Sequence, residues 1–213
     1  MAVFEERRAR LRAARLYLVI DAEPAERVVP EALAGGVDIV QLREKAAPDE
    51  AIVATGRRLR DLCDEHGALL IVNDRADLAL ACGADGVHVG QDDEPLESVR
   101  ATVGADLTIG ISTHSPEQLE AGLASVADYL GVGPVYATPT KAGRTPVGLE
   151  LVRYAAEHAA AKPWFAIGGI DAGNAPGVVE AGASRIVVVR AIRDADDPRA
   201  AAAALARLEA HVH

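Results

Sequence analysis

The stretch Ala34-Gly35-Gly36-Val37-Asp38-Ile39-Val40-Gln41-Leu42-Arg43-Glu44-Lys45 decides the fold. A helix-prone segment ends in glycine, which suits a left-handed turn out of a helix. A short apolar run rich in β-branched residues follows, as in a parallel strand buried on both faces. Polar side chains spaced two apart then close the unit. Similar entries, Ala81-Cys82-Gly83-Ala84-Asp85 and Glu180-Ala181-Gly182-Ala183-Ser184, precede two other apolar runs.

Working outward, eight such runs recur: Leu16 to Ile20, Val37 to Leu42, Leu69 to Val72, Gly86 to Val89, Leu107 to Ile111, Tyr129 to Val132, Trp164 to Ile167 and Ile186 to Val189. Helical chemistry fills the gaps, at Pro24 to Leu33, Asp49 to Glu65, Ala76 to Ala81, Pro95 to Thr102, Pro116 to Ala124, Leu149 to Ala160, Ala175 to Ala181 and Pro198 to Ala210. Ser115-Pro116 and Asp197-Pro198 are clear helix starts, because Ser or Asp caps free amides and Pro fits the first turn. Alternating strands and helices with right-handed crossovers predict an α/β fold, one (β/α)8 TIM barrel spanning 1–213 with a short N-terminal helix. An open doubly wound sheet is the competing architecture.

Composition agrees. Hydrophobic residues make up 50% of the 213 residues but aromatics only 3%, so the core must be built from Val, Ile, Leu and Ala. The formal net charge of -10 disfavours a polyanionic partner, and nucleic acid is not expected. Cys63 and Cys82 show no zinc spacing and read as reduced thiols. No apolar run approaches the roughly 18 to 20 residues a membrane span requires, and no signal-peptide core follows the charged N-terminal run. The expectation is a soluble, cytoplasmic protein without membrane partners; a homo-oligomer stays open.

A barrel places its chemistry just after the strands, at their carboxyl ends. The polar residues fall there. Gln41, Arg43 and Lys45 would face one side if the second strand continues through them, and two cations beside an amide suit an anionic ligand. The plainer alternative is that these charges reach solvent or pair with Glu44. Asp74 and Asp93 end adjacent strands, a layout that suits magnesium, a hard cation completed by waters and phosphate oxygens. Helix capping is the alternative for each, and Asp92 satisfies the spacing argument as well as Asp93. Gly168-Gly169 lies on the seventh loop, where this fold commonly binds phosphate. His114 is a base or a hydrogen-bonding or surface loop residue, and His88 points from its strand into the core or the barrel interior with no readable role.

Taken in order, Gln41-Leu42-Arg43-Glu44-Lys45, Val72-Asn73-Asp74-Arg75, Gly86-Val87-His88-Val89-Gly90-Gln91-Asp92-Asp93, Gly110-Ile111-Ser112, Gly131-Val132-Gly133-Pro134-Val135-Tyr136, Thr138-Pro139-Thr140-Lys141 and Ile167-Gly168-Gly169-Ile170 resemble the thiamine-phosphate synthase family. Any one motif is unspecific; the ordered series covers most of the chain. The resemblance implies a transferase that joins an aminopyrimidine diphosphate to a thiazole phosphate, or its carboxylated form, and releases pyrophosphate. It implies that Gln41, Arg43, Lys45, Asn73, Ser112 and Lys141 hold the pyrimidine diphosphate, with Arg43, Lys45, Ser112 and Lys141 the catalytic set. Asp74 and Asp93 would hold Mg2+. Thr138, Pro139, Thr140, Gly169 and the segment around Val189 would hold the thiazole phosphate. In the family the reaction proceeds by loss of pyrophosphate and capture of the resulting pyrimidinylmethyl cation.

One position departs from the family pattern. Arg190 follows Val189 where a small hydroxyl residue is common, and an Arg there can bind phosphate bidentately or point away. Two rival readings accompany the synthase. A thiazole tautomerase of the same barrel would rely on His114 but has little use for Arg43, Asn73, Asp74, Asp93 and Lys141 together. A non-catalytic sensor of a phosphorylated ligand would not need both carboxylates. The glycine- and proline-containing segment Ala137 to Val147 reads as a lid.

Overall fold

The computed structural model describes residues 2–138 and 145–209. Eight strands, β1 (Leu16–Ile20), β2 (Ile39–Leu42), β3 (Leu69–Asn73), β4 (Gly86–Val89), β5 (Thr108–Thr113), β6 (Tyr129–Val132), β7 (Trp164–Ile167) and β8 (Ile186–Val188), pair in parallel and in chain order. The β1–β8 pair, with Leu16 opposite Ile186, closes the ring, which rules out the open doubly wound sheet.

The helices alternate with them. Before the ring closes come α1 (Ala2–Ala13), α2 (Ala22–Ala34), α3 (Asp49–His66), α4 (Ala76–Cys82), α5 (Leu96–Val103), α6 (Pro116–Ala124), α7 (Gly148–His158) and α8 (Ala175–Glu180); α9 (Arg190–Arg193) and α10 (Pro198–Glu209) follow β8. Ser115 caps α6 by accepting from the Gln118 amide, and Asp197 accepts from Ala200 at the start of α10. Gly36, Gly83 and Gly182, one glycine from each repeated strand entry, take positive φ, whereas Gly35 is right-handed at φ -86.

Two apolar layers result from strand alternation. In β1, Leu16, Leu18 and Ile20 face outward into the main core against the helices, whereas Tyr17 and Val19 face the barrel interior with Ile39, Ile71, Tyr129, Phe165 and Val187. Burying these side chains supplies the main driving force for the fold.

Acidic residues tie down the amino-terminal mouth of the barrel. Asp38, Asp85 and Asp128 each sit just before an even-numbered strand. Each accepts from the backbone amide that opens the preceding strand or its approach: Leu16, Leu70 and Ile109. Two of them also hold α1. Asp85 takes Arg7 at 2.8 Å and Arg60 from α3; Asp128 takes Arg8 at 2.8 Å and Arg100 at 2.6 Å. The Asp of the repeated entry thus seals strand starts and anchors α1. Asp85→Ala strands two guanidinium groups and a buried amide, so it should cost about 3 kcal/mol, read by urea denaturation. The site at the opposite mouth should keep its ligand affinity in that variant.

Candidate functional site

The carboxyl ends of the strands surround a cavity of about 370 Å³. Its floor is the aromatic top of the barrel interior. Tyr17 and Tyr129 both pack edge-on against Phe165, at centroid distances of 5.5 and 5.8 Å. Its wall carries Gln41 and Arg43 after β2, Asn73 at the end of β3, Ser112 and His114 after β5, Thr138, Gly169 after β7, and Val189 and Arg190 after β8. Eight of the residues expected from sequence therefore share one concavity. Pro139, Thr140 and Lys141 lie outside the described residues, as does the middle of the lid segment.

The Gln41-Arg43-Lys45 alternation needs one correction. The strand ends at Leu42, although the Arg43 amide still donates to Ile20. The Glu44 carboxylate then accepts from the amides of Lys45 and Ala46 and turns the chain. Gln41 and Arg43 keep the expected direction into the cavity. Lys45 leaves it, and its exposed Nζ lies 3.3 Å from Asp74 Oδ2. The bonds from Glu44 to backbone amides, chiefly that of Ala46, hold its carboxyl below the usual range. Arg43 brings an unmet demand: its Nε is buried with no hydrogen-bond partner among the described residues. Such groups are rare, because an unsatisfied buried donor costs about 1–3 kcal/mol.

Beside the cavity lies a carboxylate pair. Asp74 sits at φ 62, a left-handed backbone conformation uncommon outside glycine. It is not the N-cap of α4, a position that Arg75 occupies. The carboxyl that meets it is that of Asp93, whose Oδ2 also accepts from the Gly90 amide at 2.7 Å. A Cβ on Gly90 would stand 2.8 Å from that oxygen, so glycine admits the carboxylate. Burial, then the hydrogen bond and repulsion from Asp93, push the Asp74 carboxyl above its ordinary value, with Lys45 partly offsetting them. Among the described residues no group of three or more His, Cys, Asp or Glu side chains could hold a metal ion. Two crowded acids facing basic residues fit a cation that takes its remaining ligands from water and phosphate.

The seventh-loop glycines serve packing as well as access. Gly168 and Gly169 have φ of 105 and 67, and a Cβ on either would collide with the backbone of Pro134 or Ala137. Tyr136 donates to the Gly168 carbonyl across the same gap. Arg190 opens the four-residue helix α9 and lines the cavity as an exposed residue. His114 bonds through Nδ1 to the Gly133 carbonyl, while its amide donates to Gln118. Its imidazole is a hydrogen-bonding part of the wall.

Sequence reasoning missed Tyr17 and Tyr129 and left His88 without a role. Tyr17, Tyr129 and His88 are buried and linked to Gln41 and Ser112. The available signal was that two of the four tyrosines interrupt otherwise aliphatic strands.

A closed barrel with cations, an acidic pair and an aromatic floor at its carboxyl mouth suits a phosphorylated ring compound. The comparisons with known proteins narrow this class. The family described as thiamine monophosphate synthase (TMP-TENI) matches residues 16–192. A thiamine-phosphate synthase of Gloeobacter violaceus is 60% identical over 90% of this chain, which spans 56% of that relative's length. One from Acidothermus cellulolyticus is 50% identical over 93% of this chain and 96% of the relative. The solved thiamine phosphate pyrophosphorylase of Pyrococcus furiosus superposes with a TM-score of 0.85 at 36% identity, covering 95% of this chain and 97% of that one. The chain belongs to the thiamine monophosphate synthase family, and its place among the transferases follows from that membership.

Proposed function

We propose that the chain is a thiamine-phosphate synthase that joins an aminopyrimidine diphosphate to a thiazole phosphate and releases pyrophosphate. The observation that carries this reading is the buried, unsatisfied Arg43 Nε in a cavity wall shared with Gln41, Asn73 and Ser112, beside the Asp74–Asp93 pair. The names of the relatives support it.

In this account Arg43 and Lys45 bind the diphosphate, and Gln41, Asn73 and Ser112 orient the pyrimidine. The bond between the exocyclic carbon and the diphosphate oxygen breaks, and its electron pair leaves with pyrophosphate. Fixed cations stabilise that leaving charge without having to reorganise, so the reaction needs no protein nucleophile. The faces of Phe165 and Tyr129 suit a developing cation, and their apolar surroundings keep water from it. The lone pair of the thiazole nitrogen then forms the new carbon–nitrogen bond. Thr138, the Gly168-Gly169 backbone and Arg190 would bind the thiazole phosphate. Asp74 and Asp93 would hold Mg2+, which would supply charge neutralisation on the diphosphate oxygens.

Among the described residues no helix is long and apolar enough to cross a membrane, and cytoplasmic work on small substrates is the setting we propose. Mass spectrometry of the reaction mixture tests the reading. The coupled product should appear only with both substrates present; its absence with both would reject the assignment.

A further inference from the structure

A line of hydrogen bonds crosses the barrel interior and joins two residues of the cavity wall. Gln41 Nε2 donates to the Tyr17 hydroxyl at 2.6 Å. That hydroxyl lies 3.0 Å from the hydroxyl of Tyr129, which lies 3.1 Å from His88 Nδ1. His88 Nε2 in turn lies 3.0 Å from Ser112 Oγ. The strands make room for this line with glycine. His88 is in register with Gly110, where a methyl group would collide with both the Tyr129 ring and the imidazole. Ser112 is in register with Gly131, where a Cβ would press on the imidazole at 3.4 Å.

Each hydroxyl has one proton to give, and every buried proton of the line finds an acceptor only if the bonds all run one way. Burial pushes both phenols well above their ordinary values, which keeps those protons in place. With Gln41 donating to Tyr17, the Tyr17 proton goes to Tyr129 and the Tyr129 proton to His88 Nδ1. The imidazole is then neutral and protonated on Nε2, and it donates to Ser112 Oγ. An imidazolium would donate to Tyr129 as well, which would leave one of the two phenol protons with no acceptor along the line.

Resting on the synthase reading above, we infer that His88, held by Tyr129 and Tyr17, is a positioning residue that commits the Ser112 hydroxyl to donate its proton to the bound aminopyrimidine diphosphate. Gln41, fixed at the other end by its amide nitrogen, presents its carbonyl oxygen as an acceptor. The interior of the barrel thus sets the donor and acceptor pattern that a pyrimidine meets. Reversing the Gln41 amide would reverse every bond and turn Ser112 into an acceptor.

The wild-type protein labelled with 15N-histidine tests this, with His88 assigned by comparison with His88→Gln. Long-range 1H–15N correlation at neutral pH should show His88 protonated on Nε2 alone; protonation on Nδ1, or on both nitrogens, would overturn the inference. A kinetic cycle gives a second arm. Tyr129→Phe should lower kcat about tenfold, the worth of one well-placed hydrogen bond, and leave the KM for thiazole phosphate unchanged. In a Ser112→Ala background the same substitution should cost nothing further, and an undiminished loss there would contradict positioning through Ser112. If the wild type formed no coupled product, the functional reading would fail while the tautomer measurement would still decide the relay.

Discussion

Asp93→Ala is expected to lower pyrophosphate release on the order of 10³-fold, because it removes half of the acidic pair. Asp93 does two things in the structure: it crowds Asp74 and it accepts from the Gly90 amide. Asp93→Asn separates them, since an amide oxygen can still serve Gly90 but carries no charge. If the charge is what matters, both variants lose activity and both need more magnesium for half-maximal rate. If the loop bond is what matters, the Asn variant keeps most of the rate. Steady-state pyrophosphate release across a magnesium titration distinguishes the two.

Arg43→Met should lower kcat/KM by about 10²- to 10³-fold, the range for removing one fixed donor from a developing anion. Stability should move by less than about 0.5 kcal/mol, since the substitution also removes a buried nitrogen that has no partner among the described residues. Arg43→Lys restores charge but not the planar fork, so it should recover only part of the loss. Kinetics and thermal unfolding on the same preparations check both halves. Lost activity with unchanged stability identifies Arg43 as a group kept for its ligand.

Much of this was legible in the sequence, for identifiable physical reasons. Leu16–Ile20, Gly86–Val89, Tyr129–Val132 and Trp164–Ile167 have the same bounds by pattern and by structure, because polar or turn-forming residues flank each apolar run. The strand β5 runs on to Thr113, beyond Ile111, since its hydroxyls find partners inside the barrel: Thr113 donates to the Gly131 carbonyl and Ser112 meets His88. Hydropathy alone stops before the consecutive hydroxyl residues Ser112 and Thr113. In contrast, β2 starts late, at Ile39, because the Val37 amide closes the end of α2 by donating to Ala32. The helix α9 spans four residues, too few for any periodicity to show.

The candidate site divides in the same way. Arg43, Asn73, Ser112 and Asp93 were readable because loop chemistry concentrates where barrel strands end. The direction of Lys45 was misread because a single turn at Glu44 breaks the alternation that aimed it to the same side as Gln41 and Arg43. The interior line through Tyr17, Tyr129 and His88 was unreadable. Both faces of a barrel strand are buried, so pattern does not tell an inward residue from an outward one.

The most direct test of the account is pyrophosphate release by the wild type with and without thiazole phosphate, in magnesium and in chelator. The account predicts magnesium-dependent release that requires both substrates and collapses in chelator. Release of equal rate in chelator would contradict the role given to Asp74 and Asp93, and no release under any of these conditions would contradict the synthase itself.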